Sequence, residues 1–454
     1  MNYMEALKTN LPEDVALLKA RGDFETAQKL IDKWLTRKIS KAMTDRLTLE
    51  KVILNELPIQ YPFNFDTALK MMQEKVDGFT AEDLNNLKDD GHADWIFING
   101  EVHFQDRFLP SIIKTCPDYA HIELDEDQAT VDVSPVEILD QTVNEMIEKG
   151  HKSYFIQIRH SIKIKKEWEK LGKKIRVYLP LPQCADQISN IKILNTSFEP
   201  LKIADETYGQ RTICFEKELA SDDEFIVEYS FENHAKYVVL DPTEVSTEQP
   251  DFDTQELQPH IVFNPYLKAL TSEIIGDETN PLLKARKIYD FITTQVHYSY
   301  MREYLTIENI PNYAATNLKG DCGVQALLFI TMCRCAGIPA KWQSGIYANP
   351  VTLGNHDWAL FYIAPYGWLH CDCSFGGSAY RNGAEKRWNF YFGNLEPFRM
   401  SANSEFQLDF DPPKDQLRAD PYDNQRGEVE YDGERLNFTH FDADREIVEI
   451  HAID

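Results

Sequence analysis

A chain of 454 residues with 43% apolar content is long enough for roughly two to four domains with real hydrophobic cores. Its formal net charge of -27 repels the phosphates of nucleic acid and the headgroups of an anionic membrane, which excludes both as unassisted partners. Positively charged peptides or neutral small substrates fit that charge better. Met1 to Leu30 is interrupted by Glu5, Lys8, Glu13, Asp14, Lys19, Arg21, Asp23 and Glu25, so neither a signal peptide nor a membrane span is expected there. The eight cysteines are scattered without regular spacing, which predicts reduced thiols and a cytoplasmic location.

The first section has helical periodicity. Val15, Leu17, Leu18 and Ala20 give one apolar stripe, Arg21-Gly22-Asp23 a turn, and Ala27, Leu30, Ile31 and Leu35 a second stripe, predicting a helical hairpin over 13–40. Further helices are expected over 41–56 and 65–87, followed by a small hairpin from Trp95 to Phe104 that turns at Asn99-Gly100. Residues 1–135 are thus predicted to be a mainly helical domain.

The middle section changes period. Tyr154 to Ile164, Lys174 to Leu179, Gln187 to Leu194, Thr212 to Glu216 and Glu224 to Phe231 are short alternating or β-branched runs between turn residues, which predicts a β-sandwich domain over 136–240. An acidic, Pro-containing linker, 241–263, leads to a predicted catalytic core over 264–400. The remaining 401–454 is expected to be a β-rich extension packed on that core, with a hairpin on Asp432-Gly433. The fold class that follows is α+β.

The chemistry concentrates in the core. Cys322 sits in Lys319-Gly320-Asp321-Cys322-Gly323, and Ala326, Leu327, Phe329, Ile330 and Cys333 then recur at helical spacing until Gly337 and Pro339 stop the helix. Asp321 is the predicted N-cap. A thiol in the first turn lies near unpaired amide donors and the positive end of the helix dipole, and both favour thiolate. His356 to Ile363 and Gly367 to Ser374 read as antiparallel strands around Ala364-Pro365-Tyr366. If Ile363 opposes Gly367, His356 and Asp372 project on one side, whereas a one-residue slip aims Asp372 at the other. Asp357 leaves its strand on the side away from His356.

These segments together resemble the transglutaminase-like superfamily, a circularly rearranged relative of papain-type cysteine proteases. The residues that carry the resemblance are Gly320-Asp321-Cys322, the helix end Cys333 through Ala340, His356-x-Trp358, and Gly367-Trp368 through Asp372. Lys341 to Gly345 and Phe390 to Asn394 also resemble bacterial proteins described only as transglutaminase-domain-containing. The resemblance implies a papain/transglutaminase-like core with Cys322 as nucleophile, His356 as base and Asp372 as the orienting acid. The family often places an aromatic residue upstream of the thiol, which makes Tyr298 a candidate for oxyanion contact with core packing as the competing role; Gln343, on the strand after the helix, and Trp358 are further candidates for substrate or oxyanion contact. Two positions depart from the family pattern: Asp357 stands where a small residue is usual, and Cys373 where Pro often follows the acid.

Other uses of the same residues compete. His370 is a rival base on the Asp372 face, and Cys333 with Cys335 point in different directions on their helix, which suits packing. Cys371 and Cys373 alternate with His370 and Asp372, so neighbours along the strand cannot chelate one ion together, and no metal or cofactor is expected. The predicted activity is thiol-dependent acyl transfer, with hydrolysis of a peptide or small amide bond through an acyl-enzyme as the expected outcome. The alternatives are protein-glutamine transamidation and a non-catalytic peptide-binding scaffold. The sequence assigns no oligomeric state.

Overall fold

The computed structural model describes residues 3–122, 134–185 and 187–453. It divides into two compact units, one of 1–127, 257–262 and 295–325, the other of 128–256, 263–294 and 326–454. Part of the expected helical domain, 123–133, and Asp186 of the expected sandwich lie outside the described residues.

In the first unit the predicted helical hairpin is Glu13–Ala20 and Phe24–Leu35, the second helix capped by the Asp23 carboxylate on the Thr26 N–H. Lys41–Gln60, Phe65–Lys75, Ala81–Asp89 and Phe108–Thr115 follow. The hairpin at Asn99-Gly100 pairs Trp95–Ile98 with Glu101–Phe104, and both of its turn residues have positive φ, as a two-residue hairpin turn requires. Phe104, Phe108, Met72, Leu84 and Ile112 fill the small core beneath it.

This unit also takes in residues that the linear reading assigned to the catalytic core. His297–Tyr298 and Lys319–Gly320 form a two-stranded parallel ladder, with the helix Ile310–Asn317 between them. Ionic and polar contacts hold the segment to the N-terminal helices. Lys319 Nζ sits 2.8 Å from Asp94 Oδ1, the Tyr61 hydroxyl bonds the same carboxylate, and buried Arg46 joins Glu50 to Glu308. A boundary drawn along the sequence misses this, because the partners are more than two hundred residues apart.

The second unit contains the sandwich and the rest of the core. One sheet runs Phe441–Ala452, His151–Ile164, Glu224–Lys236, Ile188–Thr196, and the other Glu434–Arg435, Glu428–Tyr431, Lys174–Pro180, Thr212–Glu218, Lys202–Ile203. Ile156, Ile158, Val177, Leu179, Phe215 and Val227 are fully buried between them. The tail beyond 401 therefore does more than lie on the core: its strands complete both sheets, pairing Phe441 with Ile164 and Val429 with Val177. The helix Pro135–Lys149, opened by a Ser134–Glu137 capping box, precedes the first sandwich strand.

The core sheet has the order Phe392–Gly393, Gly367–Cys371, Thr352–Ile363, Ala340–Asn349, Arg399–Asn403, all antiparallel. Ile363 opposes Gly367, the register that the three-residue loop predicts. The second strand stops at Cys371, however, and the helix Cys373–Arg381 begins at once. None of the described helices is long and apolar enough to cross a membrane.

Candidate active site

The thiol turn is built within the first unit. The helix Cys322–Cys335 has Cys322 as its first residue, and Asp321 caps it: the carboxylate accepts the Val324 N–H at 3.1 Å and its carbonyl accepts from Gln325. Gly320, just before the cap, leaves no room for a side chain, since a Cβ there would fall 2.2 Å from Val324 Cγ1. Burial raises the Asp321 carboxyl to about 6, against hydrogen bonds from the Tyr304 hydroxyl and the Val324 amide. Cys322 itself is half-buried.

The imidazole and its acid are built within the second unit. His356 lies on Thr352–Ile363 directly opposite Gly345, where a Cβ would fall 2.0 Å from the Met400 carbonyl oxygen of the neighbouring strand. Phe375 meets the imidazole edge to face at 4.6 Å and Trp358 stacks at 6.2 Å. His356 Nε2 is 2.8 Å from Asp372 Oδ2, with His356 5% exposed and Asp372 fully buried. An ionised carboxylate only accepts, so Nε2 carries the proton and Nδ1 is the basic nitrogen.

Asp372 reaches this position as a helix cap rather than as a strand residue. Its Oδ1 accepts the Phe375 N–H at 2.9 Å, fixing the carboxylate at the start of Cys373–Arg381. That helix can approach because Gly376 lies against the Tyr289 hydroxyl, where a Cβ would come within 1.9 Å. The expectation of a strand running on to Ser374 is thus corrected: the chain turns at Asp372 to satisfy the first amides of the helix.

Two further charges complete the cluster, and the sequence reading did not single them out. Arg399, 2% exposed, holds Nη1 2.8 Å from Asp372 Oδ2 and Nε 2.7 Å from Glu396 Oε1. Its guanidinium lies 4.4 Å from the Phe375 ring centroid and 5.1 Å from that of Tyr347. The available signal was an arginine inside the apolar run Pro397-Phe398-Arg399-Met400, a place that an arginine takes only with a partner. Burial pushes the Asp372 carboxyl up, but His356 and Arg399 outweigh it and hold the group below the usual carboxylate range. For His356, burial and Arg399 outweigh Asp372, so the imidazole is less basic than usual. It is poised to be neutral at physiological pH.

Gln343 and Trp358 are cross-strand partners, and the Trp358 Nε1–H donates to Gln343 Oε1 at 2.6 Å with both residues buried. That bond satisfies the indole and engages the amide oxygen. Tyr298 lies in the thiol's unit, paired with Gly320. His370 pairs with Leu360, while both oxygens of Asp372 are engaged by His356, Arg399 and the Phe375 amide. Asp357 turns from the imidazole and accepts from the Gln425 amide, which also bonds the His356 carbonyl at 3.0 Å.

Cys214, Cys333, Cys371 and Cys373 are buried, whereas Cys322 is half-buried. Cys371 and Cys373 place their sulfurs 3.8 Å apart in the core, and burial pushes the Cys371 and Cys333 thiols well up and that of Cys214 to about 12. Such groups stay protonated. Among the described residues, no group of three or more His, Cys, Asp or Glu is arranged to hold a metal ion.

Residues 268–373 match the family model of the Transglutaminase-like superfamily. More particularly, the chain is 28% identical over 150 residues to an uncharacterized protein of Haemophilus influenzae, an alignment covering 27% of this chain. The chain spans 41% of that relative's length. Among solved structures it is similar to a protein described as a "putative cysteine protease" from Cytophaga hutchinsonii, with 14% identity, a TM-score of 0.37, and coverage of 67% of this chain and 90% of that one. It is also similar to the periplasmic domain of TgpA from Pseudomonas aeruginosa, with 13% identity, a TM-score of 0.28, and coverage of 54% and 95%.

Proposed function

We propose that this chain is a thiol-dependent acyl-transfer enzyme with Cys322 as nucleophile, His356 as general base and acid, and Asp372 as the group that orients the imidazole. The observation that carries the reading is the buried 2.8 Å bond between His356 Nε2 and Asp372 Oδ2, which sets the tautomer that leaves Nδ1 to take a thiol proton. The capped helix start at Cys322 supports it from the other unit, because amide donors and the helix dipole favour a thiolate there.

In the proposed reaction the Cys322 sulfur attacks an amide carbonyl carbon while Nδ1 receives the thiol proton. The C–N bond then breaks, the amine leaves with that proton, and a thioester on Cys322 remains. Water, activated by the same imidazole, hydrolyses the thioester and regenerates the thiol. The acyl donor is a peptide or a small amide. An electrophilic ester probe tests the assignment: it acylates the wild-type protein at Cys322, and Cys322→Ala, folded as judged by circular dichroism, takes up no label. Labelling of the variant at an undiminished rate rules the reading out. A labelled primary amine supplied together with the acyl donor tests for transamidation, and its incorporation would replace hydrolysis as the outcome.

A further inference from the structure

The turn that presents Cys322 is held from outside the helix it opens. Its ladder has two rungs, His297 with Lys319 and Tyr298 with Gly320, and a pairing that short has no stability of its own in water. Groups from the N-terminal helices fix it, all within the first unit. The Tyr300 N–H donates to Ser111 Oγ at 3.1 Å on the helix Phe108–Thr115, and the Glu303 N–H donates to Gln60 Oε1 at 2.7 Å at the end of Lys41–Gln60. Lys319, three residues before Cys322, is held by its side chain, with Nζ 2.8 Å from Asp94 Oδ1.

Asp94 is the centre of this attachment. It directly precedes the strand Trp95–Ile98, and its carbonyl accepts the Gln105 N–H at 3.0 Å, which ties it to the base of the hairpin. Its Oδ2 accepts from the Tyr61 hydroxyl, and Arg302 Nη1 donates to the Tyr61 oxygen at 3.2 Å and lies 3.9 Å from that Oδ2. Asp94 is buried. Burial pushes its carboxyl up, but Lys319 and Arg302 outweigh it and hold the group below the usual carboxylate range. A buried ion pair is weak evidence for stability, whereas the 2.8 Å bond defines where Lys319 lies. Gly320 and Asp321 follow at once, and the Asp321 carboxylate must stay within reach of the Val324 N–H to cap the helix. The same oxygen accepts from the Tyr304 hydroxyl, one residue beyond the Glu303 amide that Gln60 holds. Both sides of the cap are therefore referred to the N-terminal helices.

We propose that Asp94, acting through Lys319, is a positioning residue for the nucleophile, and that the N-terminal helical domain is the platform on which the thiol's turn is set. The proposal rests on Cys322 being the reacting thiol, but its test needs no turnover. The reporter is iodoacetamide alkylation of Cys322 from pH 4 to pH 9, read by mass spectrometry of its peptide, with the exposed Cys184 as internal control.

Lys319→Met removes the link and leaves Asp94 with Arg302 and Tyr61. Below pH 7 the alkylation of Cys322 is expected to slow about five-fold and its pH profile to move upward, with Cys184 unchanged and with Lys319→Arg retaining most of the rate. Asp94→Asn separates position from charge. A positioning role moves the profile upward in both variants, whereas a purely electrostatic one moves it in opposite directions, because Met removes a positive charge and Asn a negative one. Should Asp94→Asn fail to fold, Tyr61→Phe loosens the carboxylate with no change of charge, and the profile is again expected to rise. Profiles of Lys319→Met and wild type that superimpose overturn the proposal, as do opposite shifts in the two charge variants or an unmoved profile in Tyr61→Phe. A wild-type Cys322 that reacts no faster than Cys184 below pH 7 would instead remove the enzymatic reading, and the positioning role with it.

Discussion

Arg399 Nη1 lies 2.8 Å from Asp372 Oδ2, the same oxygen that is 2.8 Å from His356 Nε2. One buried carboxylate oxygen thus serves a permanent cation and a titratable one, and Glu396 backs the arginine at 2.7 Å. The line Glu396–Arg399–Asp372–His356 has one net negative charge when the imidazole is neutral and none when it is protonated. Burial and Arg399 oppose protonation, while Asp372 and Glu396 support it.

Removing the arginine should be expensive. Arg399→Met leaves two buried carboxylates with no permanent countercharge, and a loss of roughly 3–5 kcal/mol is expected in urea unfolding. Adding Glu396→Gln should restore part of that loss, because it removes one stranded charge, so the two substitutions will be non-additive by about 1–3 kcal/mol. A strictly additive pair would show that the line is not electrostatically coupled.

Asp372 has two jobs that substitution can separate. Asp372→Asn keeps the cap on the Phe375 amide, because Asn caps a helix as well as Asp does, but it no longer holds an ionised acceptor against Nε2. Acylation of Cys322 should slow about 10³–10⁴-fold with helix content unchanged. Asp372→Ala should lose the cap as well, at a further cost of about 1 kcal/mol. An Asn variant with near-normal acylation would remove the orienting role.

Gln343 is predicted to be structural. Gln343→Met strands the Trp358 indole N–H in the core and should cost about 1–3 kcal/mol in stability, with the acylation rate of the folded protein within a few-fold of wild type. A hundred-fold slower rate at unchanged stability would reassign the amide to substrate or oxyanion contact.

The pH dependence of stability has a contribution with a defined sign at Asp321. Its carboxyl titrates at about 6 in the folded protein against about 3.9 unfolded, so the folded state binds more protons between those values. Stability from this group is therefore present at low pH and is lost as pH rises through that window. Asp321→Asn keeps the cap and does not titrate. Relative to wild type it should gain about 2 kcal/mol between pH 4 and pH 6.5, measured by urea unfolding at each pH.

The sequence carried the local order of this site and little of what lies around it. Asp321-Cys322 before an apolar periodic run was legible as a capped helix start, and the hairpin around Ala364-Pro365-Tyr366 was legible with Ile363 opposite Gly367 as one register it allows. Asp372 as a cap was hidden because Cys373-Ser374-Phe375-Gly376-Gly377 has two glycines and weak helical preference, and the helix draws on the close approach of Gly376 to Tyr289, a contact between distant residues. Ser134-Pro135-Val136-Glu137 did carry a capping-box signal for the helix Pro135–Lys149, which the sequence reading passed over. The pairing of Val429 with Val177 and the grouping of Lys319 with Asp94 depend on contacts between distant residues, and periodicity contains no information about those. Arg399 was marked only by its apolar neighbours Phe398 and Met400, and its pairing with Asp372 on another element depends on the same kind of distant contact.

The central claim is that the Cys322 thiol is activated by His356. Its most direct test is the rate of iodoacetamide alkylation at Cys322 from pH 4 to pH 9 in wild-type protein and in His356→Gln. The account predicts that below pH 7 the wild-type thiol reacts at least about ten-fold faster than the variant and that the two converge as the thiol ionises unaided. Superimposed profiles would contradict it.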